Sequence, residues 1–301
     1  MSRPPARHRE DPGKERQEPR SFRDLSGGER LRCLYLDLDG TLLGPGASLL
    51  HDGDGSVSIA GVRAVQACLR ADVEVVLMSG RRRAQVAEDA RLLGQRSFIF
   101  EAGACAVVNG EDHWLTGELL PDELTIAEQI ERSGAPALLL EHYAGLLEYH
   151  EPWHLQREVS HLFRGLVDVA EVDRLLADRG HEDLRLVDNG VVSRRSPDLA
   201  HLPHVRGYHL VPVSASKAGA VSFHRGVCGY GREHTFAVGD SREDLACAAH
   251  VSTFWLVANA LQRDPSIAAA AAAYDNVRVA ESAFGPGVYE AVVATLMDPT
   301  R

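Results

Sequence analysis

Short apolar runs recur along this chain from Leu31 onward, and stretches of helical spacing separate them. Residues 32–37 read as a buried strand. Residues 58–69 place Ile59, Val62, Val65, Ala67 and Leu69 at helical intervals. The β-branched run at 73–78 predicts a strand buried on both faces, followed by a helix over 82–93 that Gly94 ends. A strand at 98–100 precedes a hairpin, 105–108 with 114–115, around the turn dipeptide Asn109-Gly110. From 116 to 208 the rhythm changes. Helical stretches at 121–132 and 168–179 stand among short apolar strands at 137–140, 146–149, 184–187 and 191–193. The strand–helix alternation then returns: strand 208–213, a helix opening at Ser216, strands 235–238 and 251–257, a Pro265-led helix over 267–273, an edge strand 277–279 and a closing helix 288–297.

This order predicts an α/β fold: a parallel sheet built from 30–115 and 209–301, with a small α+β layer inserted over 116–208. Residues 1–29 are rich in Arg, Glu, Pro and Gly without apolar period, and read as a disordered, solvated tail. The 301 residues suffice for a large core or two modest domains.

Composition narrows the classes. The chain is 45% apolar and 25% charged, the usual globular mix, and its net charge of −11 argues against nucleic-acid or membrane-surface binding. No apolar run reaches the roughly 20 residues of a spanning helix, and no signal core opens the chain. Cys33, Cys68, Cys105, Cys228 and Cys247 are scattered without a CxxC pair. They read as reduced core thiols of a cytoplasmic protein, and no zinc site is expected of them. His142, His150, His154, His161 and His181 fall in the middle region without metal-ligand spacing and read as surface residues. The loop 51–55 lacks the later ligands of a calcium loop.

The chemistry concentrates at strand ends. Asp37 and Asp39 close the first strand, two residues apart and so on one side of it, before Gly40-Thr41. Two close carboxylates repel unless a cation or a proton lies between them, and glycine lets a ligand approach the backbone. Ser79-Gly80-Arg81 follows the second strand, where a hydroxyl and free N–H groups at a helix start suit an anion. Ser216-Lys217 opens a later helix, in a chain whose only other lysine is Lys14. Gly239-Asp240 follows a β-branched run, with Asp244 four residues on.

Asp37-Leu38-Asp39-Gly40-Thr41 resembles the first motif of the haloacid dehalogenase superfamily of phosphatases. Ser79, Lys217 and Asp240/Asp244 are similar to the second, third and fourth motifs, in order. The resemblance covers the chain beyond the tail and implies a Rossmann-like parallel sheet core with an inserted α+β cap domain. Because only about 40 residues separate the first two motifs, it places the cap after the second, as in Cof-type, sugar-phosphate and mannosyl-3-phosphoglycerate phosphatases. It implies Asp37 as nucleophile and Asp39 as general acid/base. It implies Mg²⁺ on Asp37, Asp39 (through its carbonyl) and Asp240, with Asp244 supporting the ion or Lys217. Leu38, Gly40, Thr41, Ser79, Gly80 and Lys217 would hold the phosphoryl group, and Asn259 of Ala258-Asn259-Ala260 would border it. Arg81, Arg164, Arg194 and Arg195 are candidate substrate ligands, as donors in fork geometry. Two departures stand out: Ala102-Gly103-Ala104 replaces an Asn-Gly-Ala, and Glu243 stands where many relatives carry Asn. The implied activity is Mg²⁺-dependent hydrolysis of a small phosphorylated metabolite, a sugar phosphate or glycosyl-phosphoglycerate, by a monomer or homodimer. A phosphosugar mutase and a non-catalytic phosphometabolite-binding protein are the alternatives.

Overall fold

The structure is a computed structural model and describes residues 30–192 and 196–298. The tail 1–29, Ser193, Arg194 and Arg195 lie outside the described residues.

Among the described residues the strands form two sheets. The larger joins β1 (Cys33–Asp37), β2 (Glu74–Met78), β3 (Phe98–Phe100), β4 (Cys105–Val108), β5 (Glu111–Trp114), β10 (Thr235–Gly239), β11 (Thr253–Leu256) and β12 (Val277–Val279) in the order β12-β11-β10-β1-β2-β3-β4-β5. The six strands from β12 to β3 are parallel, and β4 and β5 form the antiparallel hairpin at one edge. The chain winds outward from β1 through β2 to β3, then restarts at β10 on the other side of β1. That reversal opens a crevice at the carboxyl ends of β1 and β10.

Strand alternation sorts the apolar residues onto two faces. Leu34, Leu36, Val75 and Leu77 pack on one side with Ala64 of α1 (Ala60–Arg70), Val86 of α2 (Arg83–Leu92) and Val288. Cys33, Tyr35, Val76 and Met78 pack on the other with Val221, Leu245 and Ile267. The smaller sheet comprises β6 (Leu147–Tyr149), β7 (His161–Gly165), β8 (Leu184–Val192) and β9 (Val205–Pro212), antiparallel in the order β6-β7-β9-β8. Phe163, Leu186, Tyr208 and Leu210 pack there with α3 (Ile126–Ser133), α4 (Ala135–His142) and α5 (Val169–Asp178). The remaining helices belong to the larger layer: α6 (Lys217–Cys228), α7 (Arg242–Leu245), α8 (Ala258–Arg263), α9 (Ile267–Ala271) and α10 (Phe284–Leu296). None of the described helices is long and apolar enough to cross a membrane.

The middle region departs from expectation at four places. The apolar run at 137–140 is helical, within α4, because Gly134 turns the chain in the left-handed region and Pro136 sits in the first turn. Strand β7 was not expected. The segments 184–187 and 191–193 form one strand as far as Val192, interrupted by a register shift between Asp188 and Val191. Finally, the strand expected to rejoin the core at 208–213 is β9, which pairs with β7 and β8. The smaller sheet therefore extends past 208 to Pro212, and the chain re-enters the larger layer just before α6.

Candidate active site

Three separated segments bring their charges to the crevice. Asp37 ends β1 and is almost wholly buried. Lys217 is the first residue of α6, whose N-cap Ser216 accepts a hydrogen bond from Gly219 N–H. Lys217 Nζ donates to Asp37 Oδ1 at 2.8 Å and to Asp244 Oδ1 at 2.6 Å. Asp244 Oδ2 accepts from Ser241 Oγ at 2.6 Å and from the backbone N–H groups of Ser241 and Asp240. Asp244 thus orients Lys217 through Oδ1 and caps α7 through Oδ2.

Two polar atoms in this crevice are buried without a partner, Asp37 Oδ2 and Thr41 Oγ1. Ligand oxygens of Asp37, Asp240 and Asp244 lie within 4.8 Å of one another. An orphaned carboxylate oxygen beside a second carboxylate fits Mg²⁺, a hard cation that takes one or two protein carboxylates and keeps several waters. Asp37 and Asp240 would hold it. Asp240 Oδ2 meanwhile pairs with Arg263 at 3.0 Å. Burial and the neighbouring Asp244 push Asp37 up to about 7, against the pull of Lys217. Burial, Asp37 and Asp244 raise Asp240 as well. On Lys217, burial works against the charge, but Asp244 and Asp37 outweigh it and hold the ammonium well above its ordinary range.

Other expected residues sit differently. Gly40 has φ +91°, and a Cβ there would collide with the Asp240 carboxylate, so only glycine fits. Its N–H, expected to face a phosphoryl group, donates to Leu43 O at 3.3 Å, and Thr41 N–H donates to Leu38 O at 3.2 Å. Asn259 is buried with both ends of its amide used: Nδ2 donates to Gly40 O at 2.7 Å and Oδ1 accepts from Phe284 N–H. It fixes the loop after β1 rather than offering itself to a ligand. Ser79 is buried, and its Oγ accepts from Arg81 N–H. Arg81 grips both oxygens of Asp39 at 2.6 Å and also Asp89 at 2.9 Å. Arg164 lies in β7 and pairs with Glu148 across the sheet at 2.5 Å. Glu243 accepts from Lys217 N–H at 3.2 Å and faces Arg185 of β8 at 3.7 Å. The residue in the unusual position therefore links the lysine's own backbone to the smaller sheet.

The smaller sheet is fastened over the crevice. The buried Glu101 carboxylate accepts from the N–H groups of Glu158, Val159 and Ser160 and from Ser160 Oγ. Arg157 donates to Gly80 O at 3.0 Å. Gly103, in the departure from Asn-Gly-Ala, lets the loop after β3 pass against the Ser216–Lys217 backbone, where a Cβ would clash. Two side chains above Gly80 were not foreseen: a Cβ added to Gly80 would stand 2.7 Å from His209 Nε2 and 3.2 Å from the Asn189 amide. His209 was legible as the one ring nitrogen in an apolar strand. Asn189 lies in the register shift of β8 that the sequence presented as a break. Burial, with Arg157 and Lys217 nearby, holds the His209 imidazole neutral, well below its ordinary range.

An open parallel sheet with an antiparallel cap, and an aspartate–lysine–aspartate cluster at the switch point, defines a class of fold. That fold is the one found in hydrolases of the haloacid dehalogenase superfamily. Sucrose-phosphatase from Synechocystis sp. PCC6803, solved with sucrose and phosphate, is similar over 88% of this chain and 97% of its own, with TM-score 0.62 and 15% identity. A phosphatase of the haloalkanoate superfamily from Bacteroides thetaiotaomicron is similar over 91% and 98%, with TM-score 0.59 and 15% identity. A haloacid dehalogenase-like hydrolase from B. subtilis is similar over 89% and 100%, with TM-score 0.55 and 16% identity. No protein-family profile matches the chain, and no curated protein sequence matches it significantly.

Proposed function

We propose that the chain is a phosphomonoester hydrolase that works through an aspartyl phosphate on Asp37, with a small phosphorylated metabolite as substrate. The observation that carries this reading is the split role of the Asp37 carboxylate. One oxygen is held by Lys217, and the other is buried without a partner beside Asp240. Such a carboxylate is oriented, ready for in-line attack on a phosphoryl group.

Mg²⁺, when bound, would offset the negative charge that otherwise keeps the carboxylate and the phosphoryl group apart. Lys217 and Ser79 hold equatorial oxygens as charge spreads over them. Asp39 donates its proton to the leaving oxygen and then takes one from the water that cleaves the acyl phosphate. For that it must exchange its bidentate bond to Arg81, whose fork matches a phosphate as well as a carboxylate. Arrival of the substrate phosphate supplies that exchange in this reading. The cap face, with His209 and Asn189 above Gly80, selects the leaving group and shields the first step from water. Hydroxyl-rich leaving groups such as sugars or glycosyl-glycerates suit neutral donors and acceptors of this kind.

The test is phosphate release from a panel of phosphorylated metabolites, with Mg²⁺ and with EDTA. The reading expects turnover of at least one sugar phosphate with Mg²⁺ and none with EDTA. Transfer of phosphate between positions of the sugar without release would point to a mutase. Binding without either reaction would point to a non-catalytic protein.

A further inference from the structure

The face of β1 that carries Asp37 at one end carries Cys33 at the other, with Tyr35 between them. Helix α6 lies over this face, and its own two ends meet the same two places. Lys217 reaches Asp37, while His224 and Cys228, one turn apart, reach the neighbourhood of Cys33. Glu74, the register partner of Cys33 on β2, completes a cluster at the amino end of the sheet, remote from the crevice.

Three of the donor atoms stand close together, and a fourth stands beside one of them. Cys33, Glu74 and His224 each offer one ligand atom, all within 4.8 Å of one another. His224 Nε2 lies 3.8 Å from Glu74 Oε1 and 3.6 Å from Cys228 Sγ. In a tetrahedral site with Zn–S near 2.3 Å and Zn–N or Zn–O near 2.0–2.2 Å, ligand atoms stand about 3.3–3.8 Å apart. The outer partners fit too. Tyr35 Oη lies 2.9 Å from His224 Nδ1. If Nδ1–H donates to Tyr35, then Nε2 is the lone-pair nitrogen facing the cluster, and the Tyr35 hydroxyl is free to donate to a thiolate. Ser97 Oγ donates to Glu74 Oε1 at 2.8 Å and Tyr230 Oη donates to Oε2 at 3.1 Å. A neutral His, a carboxylate and two thiols that ionise on binding are the mixed soft set that favours zinc over magnesium.

We propose that Cys33, Glu74 and His224 form a site for a thiophilic divalent cation, zinc foremost, that Cys228, now beside His224 and outside the three-residue group, turns in to complete as fourth ligand, clamping the carboxyl end of α6 to the amino end of β1. The cysteines are 195 positions apart at the extremes and follow no spacing rule, so only the fold assembles them. Binding releases the thiol protons. The clamp fixes the helix that carries Lys217, so the site acts on the crevice by positioning alone.

The test uses the full chain, expressed with zinc and dialysed against Mg²⁺ buffer. Metal analysis should find about one zinc per chain, and Co²⁺ in its place should give a sulfur-to-cobalt charge-transfer band with tetrahedral visible bands. Cys228→Ser, at a half-buried position, should retain about half the charge-transfer intensity, with one thiolate left. Cys33→Ser should lose the other half, and Asp240→Asn should change neither. Stripping zinc should lower the Tm, and zinc but not Mg²⁺ should restore it. A wild-type chain that holds no zinc and gives no thiolate band with Co²⁺ would overturn the proposal, leaving a hydrogen-bonded network only. So would bands that persist unchanged in Cys228→Ser.

Discussion

The lip of the core sheet and the cap face above it use charge in opposite ways. At the lip, Asp37, Lys217 and Asp244 are buried and joined by bonds of 2.6–2.8 Å, and one carboxylate oxygen is left unmatched. On the cap, the charges cancel locally: Arg164 with Glu148, Arg206 with Asp188. Over the Gly80 Cα the cap brings neutral groups, the His209 ring and the Asn189 amide, while the Arg157 guanidinium is spent on the Gly80 carbonyl. The difference teaches a division of labour. A phosphoryl group needs concentrated charge that does not vary with substrate, whereas discrimination among leaving groups needs hydrogen-bonding groups that are left unpaired by the wrong one.

Breaking the lip should have the largest effect. Lys217→Met strands two buried carboxylates, so stability should fall by about 3–5 kcal/mol. Phosphate release should drop on the order of a thousandfold. Urea unfolding and initial rates measure the two separately, and near-wild-type stability would contradict the burial argument.

Unfastening the cap comes next. Glu101→Gln converts one carboxylate oxygen that accepted three hydrogen bonds or its neighbour into an NH₂ facing donors, at about 1–3 kcal/mol. The expected signature is protease cleavage within 150–160 and a raised KM, with the lip chemistry spared. Loss of kcat alone would dissolve the distinction between the regions.

Acidity should separate the two regions with opposite signs. On the cap, burial holds His161 and His209 neutral, below the ordinary value near 6.5. Below that pH the unfolded chain binds protons the folded cap refuses. Stability should therefore fall on acidification, by up to about 1.4 kcal/mol per pH unit per group, and be flat above. At the lip, Asp37 is raised from its ordinary 3.8 to about 7, so its contribution falls as pH rises through that window. Mg²⁺ should abolish the second slope and leave the first, as urea midpoints from about pH 5 to about pH 8 would reveal.

The smallest effect concerns choice. His209→Asn should shift the ratio of kcat/KM between two sugar phosphates by about tenfold or less, because it changes one hydrogen-bonding group. Equal loss on all substrates would place His209 with the lip.

The lip was the legible part of the chain. Each of its strands is buried on both faces and announces itself as an apolar run, and each ends at a polar residue with a chemical task. The cap hid itself for the same reason. Strand β9 packs Tyr208 and Leu210 on the cap helices while His209 faces the core, so it too reads as doubly buried and looked like a core strand. The four apolar residues at 137–140 fit a strand or a buried helix equally, and only the Gly134 turn and Pro136 decide. Strand β7 has just Leu162 and Phe163 between His161 and Arg164, too short a pattern to stand out. Within the site, the residue types were readable, but their partners were not. Nothing local says that Asn259 spends its amide on Gly40 and Phe284, or that Arg81 closes on Asp39.

The most direct test of the account is where the phosphate goes. Acid-quenched enzyme, mixed with a turned-over sugar phosphate and Mg²⁺, should carry a hydroxylamine-sensitive phosphate on the peptide containing Asp37. Asp37→Asn should lose both that label and steady-state release, by a factor on the order of ten thousand or more. Release at the wild-type rate by Asp37→Asn, or label on any other residue, would contradict it.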